Sequence, residues 1–248
     1  MQPAPVLLLQ MGSPPDDIRA REGDLSDWYA RALGVGREVL QVVRVFEGES
    51  LPEPGHNPAA ILTGSWAMVT DRLDWSEATA GWIRRAMALN MPLFGVCYGH
   101  QLMAHALGGQ VGYHPAGIEA GCHEVELLPG AASDPLLQAV PARFHAHLTH
   151  FQTVLAPPAG AKVLARTEHD PHQILRYGPR ALSTQFHPEF TPSLSAACVR
   201  RGADALRKAG HSPETLLEDL RDTPVAQSLL LDFVLAHAGK AARAPAKP

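Results

Sequence analysis

The chain has 248 residues, of which 46% are hydrophobic, enough to bury the core of one large α/β domain or two small ones. Its 21 lysines and arginines stand against 25 aspartates and glutamates, a formal charge of −4, so neither nucleic acid nor a membrane surface is an expected partner. The first ten residues lack the basic start of a signal peptide, and no apolar run approaches bilayer length, which predicts a soluble, cytoplasmic protein.

Three cysteines are scattered along the chain, at Cys97, Cys122 and Cys198. Their odd number and wide spacing make a poor disulfide framework and fit a reducing compartment. Among the histidines, His145 and His147 alternate along one face of a predicted strand, with His150 close behind. No acidic or cysteine ligand accompanies them at a familiar spacing, so we expect no metal and no cofactor.

In the first half of the chain, apolar segments alternate with helical patterns. Asp24 is predicted to cap a helix that runs to Leu33, and Asp74 with Glu77 forms the capping-box pattern of a helix that ends near Asn90. This alternation predicts right-handed βαβ units and a mostly parallel sheet, in which ligands collect at the carboxyl ends of the strands. The predicted strands are Val6 to Gln10, Glu38 to Phe46, Ala59 to Leu62 and Pro92 to Val96.

After Gly108 the candidate strands become shorter, and we expect them to extend and cap the same sheet. From Pro192 to about His237 the pattern is helical. We therefore expect a single domain over residues 1–238 and a flexible tail over 239–248, which is rich in Ala, Lys and Pro. The candidate strands are Val125 to Leu128, Phe144 to Leu148, Lys162 to Ala165, Ile174 to Tyr177 and Ala181 to Gln185.

The most informative segment is GVCYGHQ, from Gly95 to Gln101, where a cysteine lies between two glycines at the junction of a predicted strand and helix. This is the pattern of a nucleophile elbow, a tight turn that raises one side chain above the sheet. The helix that follows directs its free N–H groups and positive dipole end at the sulfur of Cys97, which favours a thiolate.

A second segment, QFHPE from Gln185 to Glu189, follows a predicted strand and supplies a candidate base. His187 is placed to activate the thiol, and Glu189 lies two positions on, on the same side of an extended chain. A carboxylate there accepts the Nδ1–H of the imidazole and fixes its tautomer. Each segment alone is compatible with an ordinary turn or loop, but together they predict a cysteine hydrolase.

The segments Phe94 to Gln101 and Gln185 to Glu189, in this order, resemble the class I glutamine amidotransferases. The similarity runs from about Val6 to about Ala236, and it is to free-standing domains similar to the glutaminase half of GMP synthase. The resemblance implies a three-layer α/β fold of the flavodoxin-like type, with a mostly parallel sheet flanked by helices and a small antiparallel extension.

The resemblance also implies the chemistry. The nucleophile would attack the side-chain carboxamide of glutamine, the histidine would protonate the departing ammonia, and water would release glutamate from a γ-glutamyl thioester. The implied catalytic triad is Cys97, His187 and Glu189. The implied donors to the oxyanion are the backbone N–H groups of Tyr98, Gly64 and Ser65.

The substrate pocket implied by the resemblance contains Gln101, His150 and Phe151. The chain departs from the family pattern in two places. Ser65 and Trp66 stand where many relatives carry Gly-Pro, although a backbone N–H survives there. Gln152 stands where relatives often carry an aspartate that helps to bind the amino-acid end of the substrate, so strict preference for glutamine is in doubt.

Three interpretations remain open. In the first, no ATP-pyrophosphatase signature follows Glu189, so the chain is a glutaminase that gains activity on docking and hands ammonia to a separate synthase subunit. In the second, it is a free-standing hydrolase of γ-glutamyl peptides. In the third, it is a binding module that retains the fold, against which the intact Cys, His and Glu argue.

Overall fold

The structure, a computed structural model, describes residues 4–238, so the predicted tail 239–248 lies outside the described residues. Most of the strands join one nine-stranded sheet, and two form a separate antiparallel pair. The strands are β1 Val6–Gln10, β2 Leu40–Arg44, β3 Ala60–Leu62, β4 Leu93–Val96, β5 Gln110–Tyr113, β6 Glu119–Leu127, β7 Arg143–His150, β8 Gln152–Ala156, β9 Lys162–Arg166, β10 Ile174–Gly178 and β11 Ala181–Thr184.

The helices cover both faces of the large sheet. None of the helices in the described range is long and apolar enough to cross a membrane. The helices are α1 Asp16–Glu22, α2 Leu25–Leu33, α3 Asp74–Ala88, α4 Tyr98–Ala106, α5 Pro192–Arg201, α6 Ala203–Lys208, α7 Pro213–Glu218 and α8 Pro224–Ala238.

The sheet has a parallel half and an antiparallel half, in the order β2-β1-β3-β4-β11-β10-β9-β6-β7. The first five strands in this order, from β2 to β11, pair in parallel with one another. The pairs β11-β10, β10-β9, β9-β6 and β6-β7 are antiparallel. The predicted fold class is therefore confirmed, and the five predicted later strands, now β6, β7, β9, β10 and β11, extend the same sheet as expected.

Alternate residues of the central strands bury opposite faces of the sheet, as the period of two requires. In β1, Leu8 packs into a cluster with Tyr29 of α2 and Phe233 of α8. Its neighbours Leu7 and Leu9 pack on the other side, in a cluster that includes Trp82 of α3. The result is the predicted arrangement of three layers.

Some predicted boundaries are corrected. The second strand is shorter than Glu38 to Phe46, because short 3₁₀ segments precede and follow β2. The predicted Asp24 cap is confirmed, since its side chain accepts from the N–H of Leu25 and Gly34 ends α2 in a left-handed conformation.

The capping box predicted at the start of α3 is wrong. Leu73 occupies the cap position and makes no side-chain cap hydrogen bond, while Asp74 is already in the first turn. The carboxylate of Glu77 instead binds Arg72 at 3.3 Å and His105 at 3.0 Å. The carboxylate of Glu77 is therefore engaged by Arg72 and His105 and does not cap the helix.

Candidate active site

Three neighbouring parallel strands end at the same edge of the sheet and bring three predicted site segments together. Strand β3 leads into the turn at Gly64 and Ser65, β4 leads into Cys97, and β11 leads towards His187. The N–H of Cys97 donates to the carbonyl oxygen of Thr184 at 2.8 Å, so the ends of β4 and β11 are directly joined. The parallel register thus explains why segments so distant in sequence meet.

Cys97 is the turn residue between β4 and α4 and has φ 51° and ψ −101°, a conformation that L-residues rarely adopt. The flanking glycines serve close packing. A Cβ at Gly95 would lie 2.7 Å from the carbonyl oxygen of Gly99, and one at Gly99 would lie 2.8 Å from Cβ of Leu62. The helix therefore approaches the sheet closely, and the unusual backbone angles belong to the cysteine itself.

His187 and Glu189 form a buried pair beside the cysteine. Nδ1–H of His187 donates to Oε1 of Glu189 at 2.8 Å. Burial acts to lower the pKa of His187, but the charges of Glu189 and Cys97 outweigh it and raise the pKa to about 10. Such a histidine carries a proton at neutral pH.

The other ring nitrogen of His187, Nε2, is buried and has no hydrogen-bond partner among residues 4–238. The Sγ of Cys97 has one long contact, to the carbonyl oxygen of Thr149 at 4.0 Å. A Cβ built on Gly64 would lie 3.1 Å from Cε1 of His187 and 3.7 Å from Cβ of Cys97, so this backbone lies against both side chains.

Two backbone N–H groups near Cys97 are suited to an oxyanion. Within the described range, neither the N–H of Ser65 nor that of Tyr98 has an acceptor. The side chain of Tyr98 is anchored elsewhere, since its hydroxyl and that of Ser76 are 2.7 Å apart and its ring packs on Trp75. Burial raises the pKa of Tyr98 to about 12, so this side chain stays neutral.

The predicted substrate contacts Gln101 and His150 converge on one carbonyl oxygen. Nε2 of Gln101 donates to the carbonyl oxygen of Gln152 at 2.6 Å and to Oε1 of Gln185 at 3.0 Å. Nδ1 of His150 lies 3.0 Å from the same carbonyl oxygen, and Nε2 lies 2.8 Å from Oε2 of Glu119. Both ring nitrogens of His150 therefore lie within hydrogen-bond distance of an oxygen, and the ring is held in place from two sides.

The side chain of Gln152 is fixed by a hydrogen bond of its own. Nε2 of the Gln152 side chain donates to Oγ1 of Thr70 at 2.5 Å, across from the loop that follows the Gly64 turn. Phe151, the third predicted contact, is 41% exposed at the edge of the cavity.

The histidines of β7 divide into separate environments. His150 lines the cavity, whereas His147 is fully buried, and its burial lowers its pKa to about 4. The ligand atoms of Glu119, His150 and Asp170 lie within 4.8 Å of one another. However, the Glu119 carboxylate already accepts three hydrogen bonds, from His150, Thr167 and Gln173. A protein hydrogen-bond network thus accounts for this cluster.

A cavity of about 270 Å³ opens over these residues, and much of its wall comes from positions that no sequence pattern indicated. Phe190 stacks on His187 with ring centroids 4.1 Å apart. Trp28 meets Phe190 edge-on at 5.9 Å and Trp66 edge-on at 6.3 Å. We call these four residues, His187, Phe190, Trp28 and Trp66, the ring wall.

Tyr29 is a further residue that sequence patterns did not indicate. Its side chain is fully buried, and burial together with the nearby Glu189 carboxylate raises the pKa of Tyr29 well above its usual value. The phenol of Tyr29 therefore stays neutral beside the Glu189 carboxylate and places no further charge next to the His187–Glu189 pair.

Comparisons with known proteins agree with this architecture. A family model described as glutamine amidotransferase class-I matches residues 30–202. The glutamine-hydrolyzing GMP synthase of Aeropyrum pernix is 36% identical over 160 residues, which cover 64% of this chain and 29% of that enzyme. A glutamine-hydrolyzing GMP synthase subunit from Pyrococcus abyssi is 33% identical over 119 residues, which cover 48% of this chain and 58% of the Pyrococcus chain.

Solved structures show the same fold. A glutamine amidotransferase from Thermotoga maritima superposes with a TM-score of 0.75 at 22% identity, over 96% of this chain and 99% of that one. A GMP synthase subunit from Thermoplasma acidophilum superposes with a TM-score of 0.61 at 16% identity, over 93% and 92% of the two chains. With the family match covering more than half of the chain, the protein belongs to the class I glutamine amidotransferases, a family of amide hydrolases and transferases.

Proposed function

We propose that this protein hydrolyses the side-chain amide of glutamine through Cys97, His187 and Glu189 and releases glutamate and ammonia. The observation that carries the proposal is the meeting of a cysteine at a nucleophile elbow with a buried histidine–glutamate pair in one cavity. The family match and the relatives that hydrolyse glutamine support it.

In the first half of the reaction the sulfur of Cys97 attacks the γ-carbonyl carbon. The carbonyl oxygen becomes an oxyanion, and the N–H groups of Ser65 and Tyr98, with that of Gly64, are the proposed donors to it. His187 gives its Nε2 proton to the amide nitrogen, the C–N bond breaks, and ammonia leaves a γ-glutamyl thioester.

In the second half, His187 accepts a proton from water at Nε2. The hydroxide attacks the thioester carbonyl, the C–S bond breaks, and glutamate leaves. Glu189 holds the imidazole through Nδ1 in both halves, so the ring keeps the tautomer that the cycle needs.

The ammonia is proposed to pass to a separate synthase subunit. This part rests on the similarity to GMP synthase subunits that are separate chains. The match spans less than a third of the length of the Aeropyrum pernix enzyme. A second candidate function is the hydrolysis of γ-glutamyl peptides. It is favoured by the cavity of about 270 Å³, which has more room than ammonia needs as a leaving group.

The test is glutamate release from glutamine, with Cys97→Ala and Cys97→Ser as matched variants. We expect turnover in the wild type and a thioester that can be trapped with hydroxylamine. Activity that survives in Cys97→Ala would contradict the triad, and peptide cleavage without glutamine hydrolysis would favour the second candidate.

A further inference from the structure

The ring wall runs without interruption from the candidate base to the solvent. Phe190 covers one face of the His187 imidazole, and Trp28 connects Phe190 to Trp66. Trp66 lines the cavity and is still 42% exposed, whereas Trp28 and Phe190 are buried. An exposed tryptophan at the edge of a cavity offers apolar area that a ligand can cover.

A second part of the cavity lining is also apolar. Val199 of α5 and Leu206 of α6 line the cavity and pack in one cluster with Ile118 and Ala120. Helix α5 contacts α7 and β6, and α6 contacts α5 and α7. The cavity therefore offers apolar side chains from this cluster in addition to those of the ring wall.

The charges that line the cavity are already engaged. Arg201 pairs with Asp17 at 2.5 Å, and Glu189 is bonded to His187. His150 is paired with Glu119. The apolar part of the cavity thus presents no unpaired charge among the described residues, so the portion of a substituent that lies against it is expected to be apolar, as the side chain of a hydrophobic amino acid is.

The chemistry decides which part of a substrate lies along the ring wall. His187 delivers its proton to the amide nitrogen, so a substituent on that nitrogen starts beside the imidazole, where the wall begins. Ammonia has no such substituent and would leave the apolar surface uncovered.

We propose that the site accepts γ-glutamyl amides whose nitrogen carries an apolar group, such as γ-glutamyl peptides of large hydrophobic amino acids. The proposal rests on the proposed function and names its substrate class. The amide C–N bond breaks, the amine leaves with the proton from His187, and water then cleaves the γ-glutamyl thioester on Cys97.

The first test compares kcat/KM for glutamine, γ-glutamylglycine and γ-glutamylphenylalanine. We expect γ-glutamylphenylalanine to exceed γ-glutamylglycine by at least on the order of tenfold, because the ring adds several buried carbon atoms. Cleavage of glutamine with no preference between the two peptides would overturn the inference and leave the proposed function standing. Cys97→Ala is the control for all three substrates. If it loses all activity, each measured rate depends on the Cys97 thiol.

The second test uses Trp66. Trp66→Ala should lower kcat/KM for γ-glutamylphenylalanine on the order of tenfold more than for γ-glutamylglycine, and Trp66→Phe should restore most of the difference. Leu89→Ala is the control, since Leu89 is 61% exposed and lies outside the cavity. Equal losses on both peptides in Trp66→Ala would contradict a contact with the substituent.

Binding is measured separately from turnover by calorimetry with Cys97→Ala. Tighter binding of γ-glutamylphenylalanine than of γ-glutamylglycine supports the apolar subsite even if catalysis is slow. Equal or weaker binding overturns it. A failure of the proposed function itself would show as an absence of cysteine-dependent cleavage of glutamine, which is read out separately from the ratio between the two peptides.

Discussion

The backbone of Gly64 lies against the imidazole of His187 so closely that a Cβ there would be 3.1 Å from Cε1. The same Cβ would be 3.7 Å from that of Cys97. Gly64 is not in the left-handed region, so its backbone angles do not require a glycine. A glycine is needed there because a side chain would crowd the imidazole of His187. The turn at Gly64, Cys97 and His187 are therefore packed as one unit.

Gly64→Ala is expected to impair the reaction more than the fold. The added methyl group must displace the His187 ring by a few tenths of an ångström, and misplacement of a catalytic group costs on the order of 10- to 100-fold in kcat. Gly178→Ala is the matched control, because a Cβ there meets nothing within 4 Å. Steady-state kinetics and thermal melts of both variants check this; an active Gly64→Ala enzyme would contradict the close packing.

Glu189→Gln should move the alkaline limb of the pH–rate profile to lower pH. Burial favours the neutral ring of His187, but Glu189 and Cys97 raise its pKa to about 10, so the wild type keeps the leaving-group proton until the pH approaches that value. Without the carboxylate charge the pKa falls, and kcat drops on the order of 10²- to 10⁴-fold. An unchanged alkaline limb in kcat/KM would show that Glu189 does not act on His187.

The same pair makes stability depend on pH. The pKa of His187 is higher in the folded chain than in the unfolded chain, where it is about 6.5. The contribution is therefore complete below about pH 6.5 and is lost as the pH rises through about 10. We expect the difference in Tm between wild type and Glu189→Gln to shrink over that interval.

A buried ion pair whose residues do not line the cavity should govern stability alone. Arg176 donates two hydrogen bonds to Asp134, at 2.8 Å and 2.7 Å, and both residues are buried. Asp134→Asn leaves a buried guanidinium without its counter-charge and should cost about 3–5 kcal/mol of unfolding free energy. Glu124→Gln, which removes an exposed partner of Arg143, should cost less than about 1 kcal/mol. Urea denaturation compares the two; equal losses would contradict the role of burial.

The strand–turn–helix around Cys97 was predictable because its signals are local. An apolar run, a cysteine between glycines and a helical pattern follow one another within a few residues. In the same way, His187 follows β11 after only two intervening residues. The parallel pairing of β3, β4 and β11 then places their ends together without further information. The catalytic roles of the residues gathered there stay predictions.

Other parts depended on contacts between distant segments. Strands β5 and β8 are short and partly exposed, so their pairing leaves little apolar alternation to read. Helix α1 has a single buried residue, Ile18, and follows two prolines. The ring wall joins Trp28, Trp66 and Phe190, which have no periodic relationship in sequence.

The backbone at Cys97 implies a trade between activity and stability. A non-glycine residue with φ 51° and ψ −101° carries strain on the order of 1–3 kcal/mol, which the fold tolerates to present the sulfur. Cys97→Gly and Cys97→Ala both remove the thiol, yet only glycine relaxes the turn. We expect the glycine variant to melt at a higher temperature than the alanine variant, and the reverse order would mean that the turn is unstrained. A cysteine at this turn thus leaves the chain below the stability that its own fold would allow.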